Sequence, residues 1–184
     1  MNLPNTITIL RLLLVPVVAY ALLIGDVAKA LILFLVASIS DGLDGYLARR
    51  LDQRTRLGAI LDPLADKLLV VSVVILLTWT GLLPFWLTTL IILRDVVIVS
   101  GALIYHYWIG PIQIEPSYVS KINTTAQFIL IVLVLAVGAG WLGMAELLPY
   151  AFAIVFATTL LSGLDYVLRW SRLAAENRKR KTCK

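Results

Sequence analysis

Four aspartates recur at helical spacing within the stretch 41–66, set among apolar and small residues: Asp41, Asp44, Asp62 and Asp66. Asp41 and Asp44 are three apart, Asp62 and Asp66 four apart, so on helices each pair shares one face. Carboxylates gathered in a partly dry site cannot all stay ionised unless cations join them. Oxygen-only ligands select hard cations such as Mg²⁺ or Mn²⁺. Four negative charges match two divalent ions, an arrangement that recurs in phosphoryl chemistry. Gly42, Gly45, Ala48 and Gly58 strip bulk from the same faces and leave room for a large ligand against the backbone. Glycine is otherwise a poor helix residue, about 1 kcal/mol worse than alanine. The alternative is that the small residues let two helices pack closely, with the acids capping or solvated.

The elements that must carry these residues are membrane helices. Of 184 residues, 60% are hydrophobic and 15% charged, against about 25% charged in a soluble domain. Mean hydropathy is +0.93. Apolar runs fall at about 7–25, 28–48, 58–80, 84–107, 120–141 and 146–170. None shows the alternation of a membrane β-barrel. The fold class expected is all-α: a polytopic membrane protein with six transmembrane helices in a single domain, 1–184. Breaks are expected at Gly25-Asp26, Gly81 to Pro84, Gly110-Pro111 and Gly140 to Gly143.

Arg49, Arg50, Arg54 and Arg56 follow the second run, and Arg169 to Lys184 is rich in Arg and Lys, whereas the opposite side has only Lys29. The bias toward cytoplasmic positive charge puts both termini, and the acids, on the cytoplasmic side of an inner or plasma membrane. Trp79, Trp86, Trp108, Trp141 and Trp170 fall near run ends, as interfacial anchors do. Residues 12–30 mimic a signal peptide, but the preceding segment has only Arg11 as a basic side chain, and the run is long enough to cross. The basic tail 178–181 reads as a solvated flank, with lipid binding as the alternative. The net charge of +5 suits anionic lipid; no nucleic acid partner is expected, because no polar face carries a basic stripe. The one cysteine, Cys183, permits neither an intrachain disulfide nor a cysteine metal site.

From Asp41 to Asp66 the chain reads D-x-x-D-G-x-x-A-R-x8-G-x3-D-x3-D. This resembles, without departure, the signature of the CDP-alcohol phosphotransferase family, and Pro4-Asn5, Thr8, Arg11 and Pro16 resemble the start of that family's first span. The resemblance implies a six-helix membrane fold, a homodimer, and two divalent cations serving transfer of a phosphatidyl or similar group from a CDP-linked donor to an alcohol, with release of CMP. It implies Asp41, Asp44 and Asp62 as principal metal ligands. Asp66 would both meet a metal and take the acceptor's proton. Gly45, Ala48 and Gly58 would make space for the nucleotide, and Arg49 would pair with its phosphate. No Walker loop is present to hold a nucleotide another way.

Arg94 falls in mid-run and needs a partner, water or an anionic ligand. Arg94 and Lys121, the latter sharing a face with Thr124 and Thr125, are candidates for the acceptor's phosphate. The alternative for Arg94 is an internal ion pair with Asp95 or Asp165; Asp165 is also spaced to pair with Arg169. Lys121 with Thr124 to Gln127 resembles the family's phosphatidylglycerophosphate synthases, whose acceptor is glycerol 3-phosphate. Those enzymes usually carry a second arginine where this chain has Ala102. Arg94-Asp95-Val96, Tyr105 to Tyr107 and Pro116 to Thr124 resemble the CDP-dependent cardiolipin synthases more closely, whose acceptor is phosphatidylglycerol. The single histidine, His106, excludes a covalent mechanism built on paired His-x-Lys motifs. A divalent-cation transporter using the same acids is the remaining alternative, although such sites favour the midplane and repeated halves.

Overall fold

The computed structural model describes the backbone of residues 3–51, 56–108 and 117–182, and the side chains of 13–40, 67–101 and 117–169. Gly110, Pro111 and Cys183 lie outside the described residues. Among the described residues there are six α-helices and no strand: α1 (Leu3–Leu23), α2 (Val27–Leu51), α3 (Arg56–Trp79), α4 (Phe85–Trp108), α5 (Tyr118–Gly138) and α6 (Leu148–Thr182), with a 3₁₀ turn at Ala145–Leu147 before α6. Of these, Tyr118–Gly138 and Ala145–Arg169 are long and apolar enough to cross a membrane. Large apolar side chains face outward along several helices, including Leu13, Val17 and Tyr20 on α1 and Leu160, Leu161 and Leu164 on α6. Such surfaces suit a hydrocarbon solvent.

Three of the expected breaks are built the same way. At the end of α1, Gly25 adopts φ +78°, and its N–H donates to the Leu22 carbonyl at 3.1 Å while the Asp26 N–H donates to the Ala21 carbonyl at 2.9 Å. This double bond pattern closes a helix and needs a left-handed residue that glycine adopts without strain. Gly81 and Gly140 repeat it after α3 and α5. Asp26 then starts the next helix: its Oδ1 accepts from the Lys29 N–H at 3.1 Å, an N-cap. The Lys29 ammonium lies 2.6 Å from Asp26 Oδ2, and this hydrogen bond holds the Asp26 carboxyl below its ordinary range.

The chain divides into two compact units. The first holds residues 1–84 and 131–148; the second holds 85–130 and 149–184. In the first, α1 packs on α2 and α3. Its core is an apolar seam with helical spacing: Val18, Ala21 and Leu22 from α1, Ala30, Leu31, Phe34 and Ala37 from α2, and Leu69, Val73, Val74 and Leu77 from α3. Gly138 at the end of α5 admits close neighbours here. A Cβ in its place would sit 3.2 Å from Val27 Cγ1 and 3.4 Å from Leu82 Cδ1.

The second unit joins α4, the first part of α5 and α6. Leu87 and Ile91, Leu130 and Val155 are buried in it, and Trp86 meets Phe156 edge-on with ring centroids 5.6 Å apart. Its interior also holds Thr88, Arg94, Ser117, Ser120, Asn123, Gln127, Thr159 and Ser162.

Candidate functional site

The sequence-predicted site residues fall in two groups. Asp41, Asp44, Gly45, Ala48 and Arg49 lie in α2; Gly58, Asp62 and Asp66 lie in α3. Both helices run unbroken through these positions, so the spacings three and four apart are kept in helical register. The side chains of these eight residues lie outside the described set. The backbone nevertheless fixes how far each stands from the end of its own helix. Asp41 stands ten residues before the end of α2 at Leu51, and Asp66 ten residues after the start of α3 at Arg56. Asp44 and Asp62 stand seven and six residues from the same ends. At 1.5 Å per residue these are about 15 Å, about 10 Å and about 9 Å. Counted along the chain, Asp41 and Asp66 thus stand equally far, and Asp44 and Asp62 nearly equally far, from the two helix ends that residues 52–55 join. No group of three His, Cys, Asp or Glu side chains occurs among the described residues. An open cleft of about 390 Å³ borders Ile24 to Ala28 and Gly138-Ala139. It sits at the far end of α2, fourteen residues or about 21 Å from Asp41.

The second group is described in full. Arg94 is 8% exposed on α4. Its Nη1 donates to Asp95 Oδ1 at 2.8 Å, its Nη2 to Ser120 Oγ on α5 and to Ser162 Oγ on α6 at 2.7 Å, and its Nε to Ser162 Oγ at 3.2 Å. The Tyr166 ring lies 5.9 Å from the guanidinium carbon. The guanidinium is thus held in the ion pair with Asp95 that the sequence left open as an alternative. Asp165 pairs instead with Arg169, whose Nε is 3.1 Å from its Oδ2. Lys121, one residue past Ser120, is exposed, with its Nζ 5.5 Å from the Tyr118 ring centre. Ser117 starts α5 as an N-cap, its Oγ accepting from the Ser120 N–H at 3.1 Å.

One turn further along α5, Asn123 is fully buried and its Oδ1 accepts from Thr159 Oγ1 at 2.9 Å and Thr158 Oγ1 at 3.0 Å. Its Nδ2 and the Nε2 of Gln127, another turn along, find no acceptor among the described residues. Ser120 and Asn123 entered the sequence expectations only as part of the run Pro116 to Thr124, and Thr159, Ser162 and Tyr166 not at all. A signal existed in the spacing of Ser117, Ser120, Asn123 and Gln127, which marks one helix face. The face singled out from sequence, Lys121, Thr124 and Thr125, is the exposed neighbour of that one.

Comparison with known proteins adds the following. Residues 1–162 match the model of the family described as CDP-alcohol phosphatidyltransferase. A human protein named cardiolipin synthase (CMP-forming) is 35% identical over 151 residues, covering 73% of this chain and 50% of that protein. A Mycobacterium tuberculosis protein named probable phosphatidylglycerophosphate synthase is 38% identical over 176 residues, covering 91% of this chain and 81% of that one. A Bacillus subtilis protein named CDP-diacylglycerol–glycerol-3-phosphate 3-phosphatidyltransferase is 33% identical over 197 residues, covering 96% of this chain and 99% of that one. The chain spans about half the length of the animal relatives that it matches.

Proposed function

The chain belongs to the CDP-alcohol phosphatidyltransferase family, and from that premise we propose that it is a membrane enzyme of phospholipid synthesis, transferring a phosphatidyl group from CDP-diacylglycerol to an alcohol and releasing CMP. The observation that supports this reading is that both acid pairs keep helical register, at matched residue distances from the ends of α2 and α3 that residues 52–55 join. An all-carboxylate donor set fits hard divalent cations, and the family generally uses divalent metals. Asp41, Asp44, Asp62 and Asp66 would hold two of them, Mg²⁺ or Mn²⁺. When bound, such ions supply charge neutralisation at the donor's diphosphate and at the departing CMP.

The remaining steps belong to the protein. Gly45, Ala48 and Gly58 leave room for the cytidine nucleotide, and Arg49 pairs with its phosphate. Asp66 takes the proton of the acceptor hydroxyl as its oxygen bonds to the phosphatidyl phosphorus and the bond to CMP breaks. Lys121, exposed at the start of α5, and Arg94 bind the acceptor's phosphate; for Arg94 this means exchanging Asp95 for the ligand.

The acceptor we favour is phosphatidylglycerol, giving cardiolipin, with glycerol 3-phosphate as the second reading. Relatives named for each product match at similar identity. The reading treats 1–184 as one domain of six membrane spans, assembled as a homodimer in an inner or plasma membrane. Both termini and the acids face the cytoplasm, as the distribution of Lys and Arg indicates.

The deciding experiment incubates purified protein with CDP-diacylglycerol, Mg²⁺ or Mn²⁺ and either acceptor, then identifies the lipid product and the released CMP. Cardiolipin would support the favoured acceptor, and phosphatidylglycerophosphate the second. No CMP release with either, or full activity in EDTA, would overturn the two-metal transferase.

A further inference from the structure

Arg94 is gripped unevenly. Ser162 Oγ accepts from both Nε and Nη2, at 3.2 and 2.7 Å, and Ser120 Oγ accepts from Nη2 as well. Both serines are buried, Ser162 completely. They come from two different helices, α6 and α5, and so fix the guanidinium plane against both. Nη1 alone meets a charged partner, Asp95, at 2.8 Å. That carboxylate is the more accessible half of the pair, its side chain 17% exposed against 7% for Arg94. Of the five guanidinium N–H groups, the three on Nε and Nη2 are committed to neutral hydroxyls. Only the Nη1 edge carries an anion that a second anion could replace.

We infer that Ser120 and Ser162 are positioning residues for acceptor recognition, and that Asp95 is the resting occupant of the edge where the acceptor's anionic phosphate oxygen binds. This rests on the reading of Arg94 as a phosphate-binding group. A hydroxyl suits the positioning task. It accepts from the cation without neutralising it, so the charge of Arg94 stays available to one exchangeable anion. Asp95 keeps that charge paired while no acceptor is present, because an unpaired cation in this interior is costly. It also competes with the ligand. A phosphate arriving at Nη1 must displace Asp95 or meet it as a like charge.

The test uses full-length protein in detergent or nanodiscs, with CDP-diacylglycerol and whichever of phosphatidylglycerol and glycerol 3-phosphate the wild type uses. Ser162→Ala and Ser120→Ala should each raise the acceptor KM at least about tenfold, the loss of a hydrogen bond to a charged group. The donor KM should not move, and Ser162→Thr should restore the acceptor KM. Asp95→Asn removes the competitor and should lower the acceptor KM by about threefold or more. A gain of this kind cannot arise from damage to the fold, so that variant decides the matter if the serine variants do not fold. Arg94→Gln separates the role of Arg94 from the roles of the residues that hold it. If it leaves the acceptor KM unchanged, the role of Arg94 falls, and this inference with it. If it raises that KM while Ser162→Ala and Ser120→Ala do not, or while Asp95→Asn fails to lower it, the positioning and competition roles alone are overturned.

Discussion

The two units of this chain solve the problem of an interior differently. Every buried residue described in the first unit is hydrophobic, from Val18 and Phe34 to Leu77 and Leu135. Every buried polar residue described, eight positions from Thr88 to Ser162, lies in the second. In an apolar solvent the first solution is undemanding, since dispersion contacts and close packing suffice. The second asks each hydroxyl, amide and guanidinium for a partner, since a stranded polar group costs roughly 1–3 kcal/mol by mutational measures, and only some, such as Arg94, are fully supplied among the described residues. The difference teaches where function and stability are separable. The candidate metal ligands lie on helices whose described core needs none of them, whereas Arg94 is woven into the packing of α4, α5 and α6.

Asp66→Asn draws that contrast most sharply. It should cut transfer by at least about a hundredfold, the contribution of a general base, while thermal unfolding in detergent stays near that of the wild type. A large drop in unfolding temperature would mean that the acids also hold the first unit together. Arg94→Met is expected to do the opposite of a clean catalytic change. It takes the guanidinium from Asp95, Ser120 and Ser162 at once and should destabilise by about 3–5 kcal/mol, read as an earlier unfolding transition even without substrates. Leu77→Ala, in the apolar core, should cost about 2–5 kcal/mol through lost contacts and a cavity, with both substrate KM values unchanged in the protein that remains folded.

How far these units were legible in the sequence differs in the same way. Hydropathy located all six helices, and the glycines at 25, 81 and 140 marked their ends, because a left-handed cap and an apolar run are local properties. The last helix was underestimated. The apolar run stops near residue 170, yet α6 continues to Thr182 through Arg, Leu, Ala, Glu and Lys, all good helix formers. Hydropathy sees where lipid ends, and backbone propensity does not stop there. The acids were conspicuous because charge in apolar sequence is rare. The polar interior of the second unit was not, because serine and threonine are unremarkable in a membrane helix. Only the partner helix decides whether Ser162 or Thr159 faces a cation, an amide or lipid.

Two smaller effects probe that interior and its apolar counterpart. Gln127→Leu removes a buried amide donor that has no acceptor among the described residues and should leave stability within about 1 kcal/mol of the wild type, or raise it. A larger loss would reveal a partner for that amide. Asp26→Asn keeps an N-cap on α2 but removes a carboxylate whose pKa is depressed by the Lys29 hydrogen bond. A depressed carboxylate contributes stability above its unfolded pKa and loses it as pH falls through the folded value. The small difference between Asp26→Asn and wild type should therefore be present at neutral pH and vanish in acid, as followed by unfolding temperature against pH.

The unbroken run of α6 has a mechanical consequence. Its 35 residues give a rod of about 52 Å at 1.5 Å per residue, whereas a bilayer's hydrocarbon is about 30 Å thick. Tilting by about 40°, the upper end of what membrane helices show, would absorb only about 39 Å. A crossing by α6 therefore leaves roughly a dozen Å of stiff helix clear of the hydrocarbon at the least. The basic tail is then carried by stiff helix through the headgroup layer, rather than by a loose leash that could drift back over the lipid.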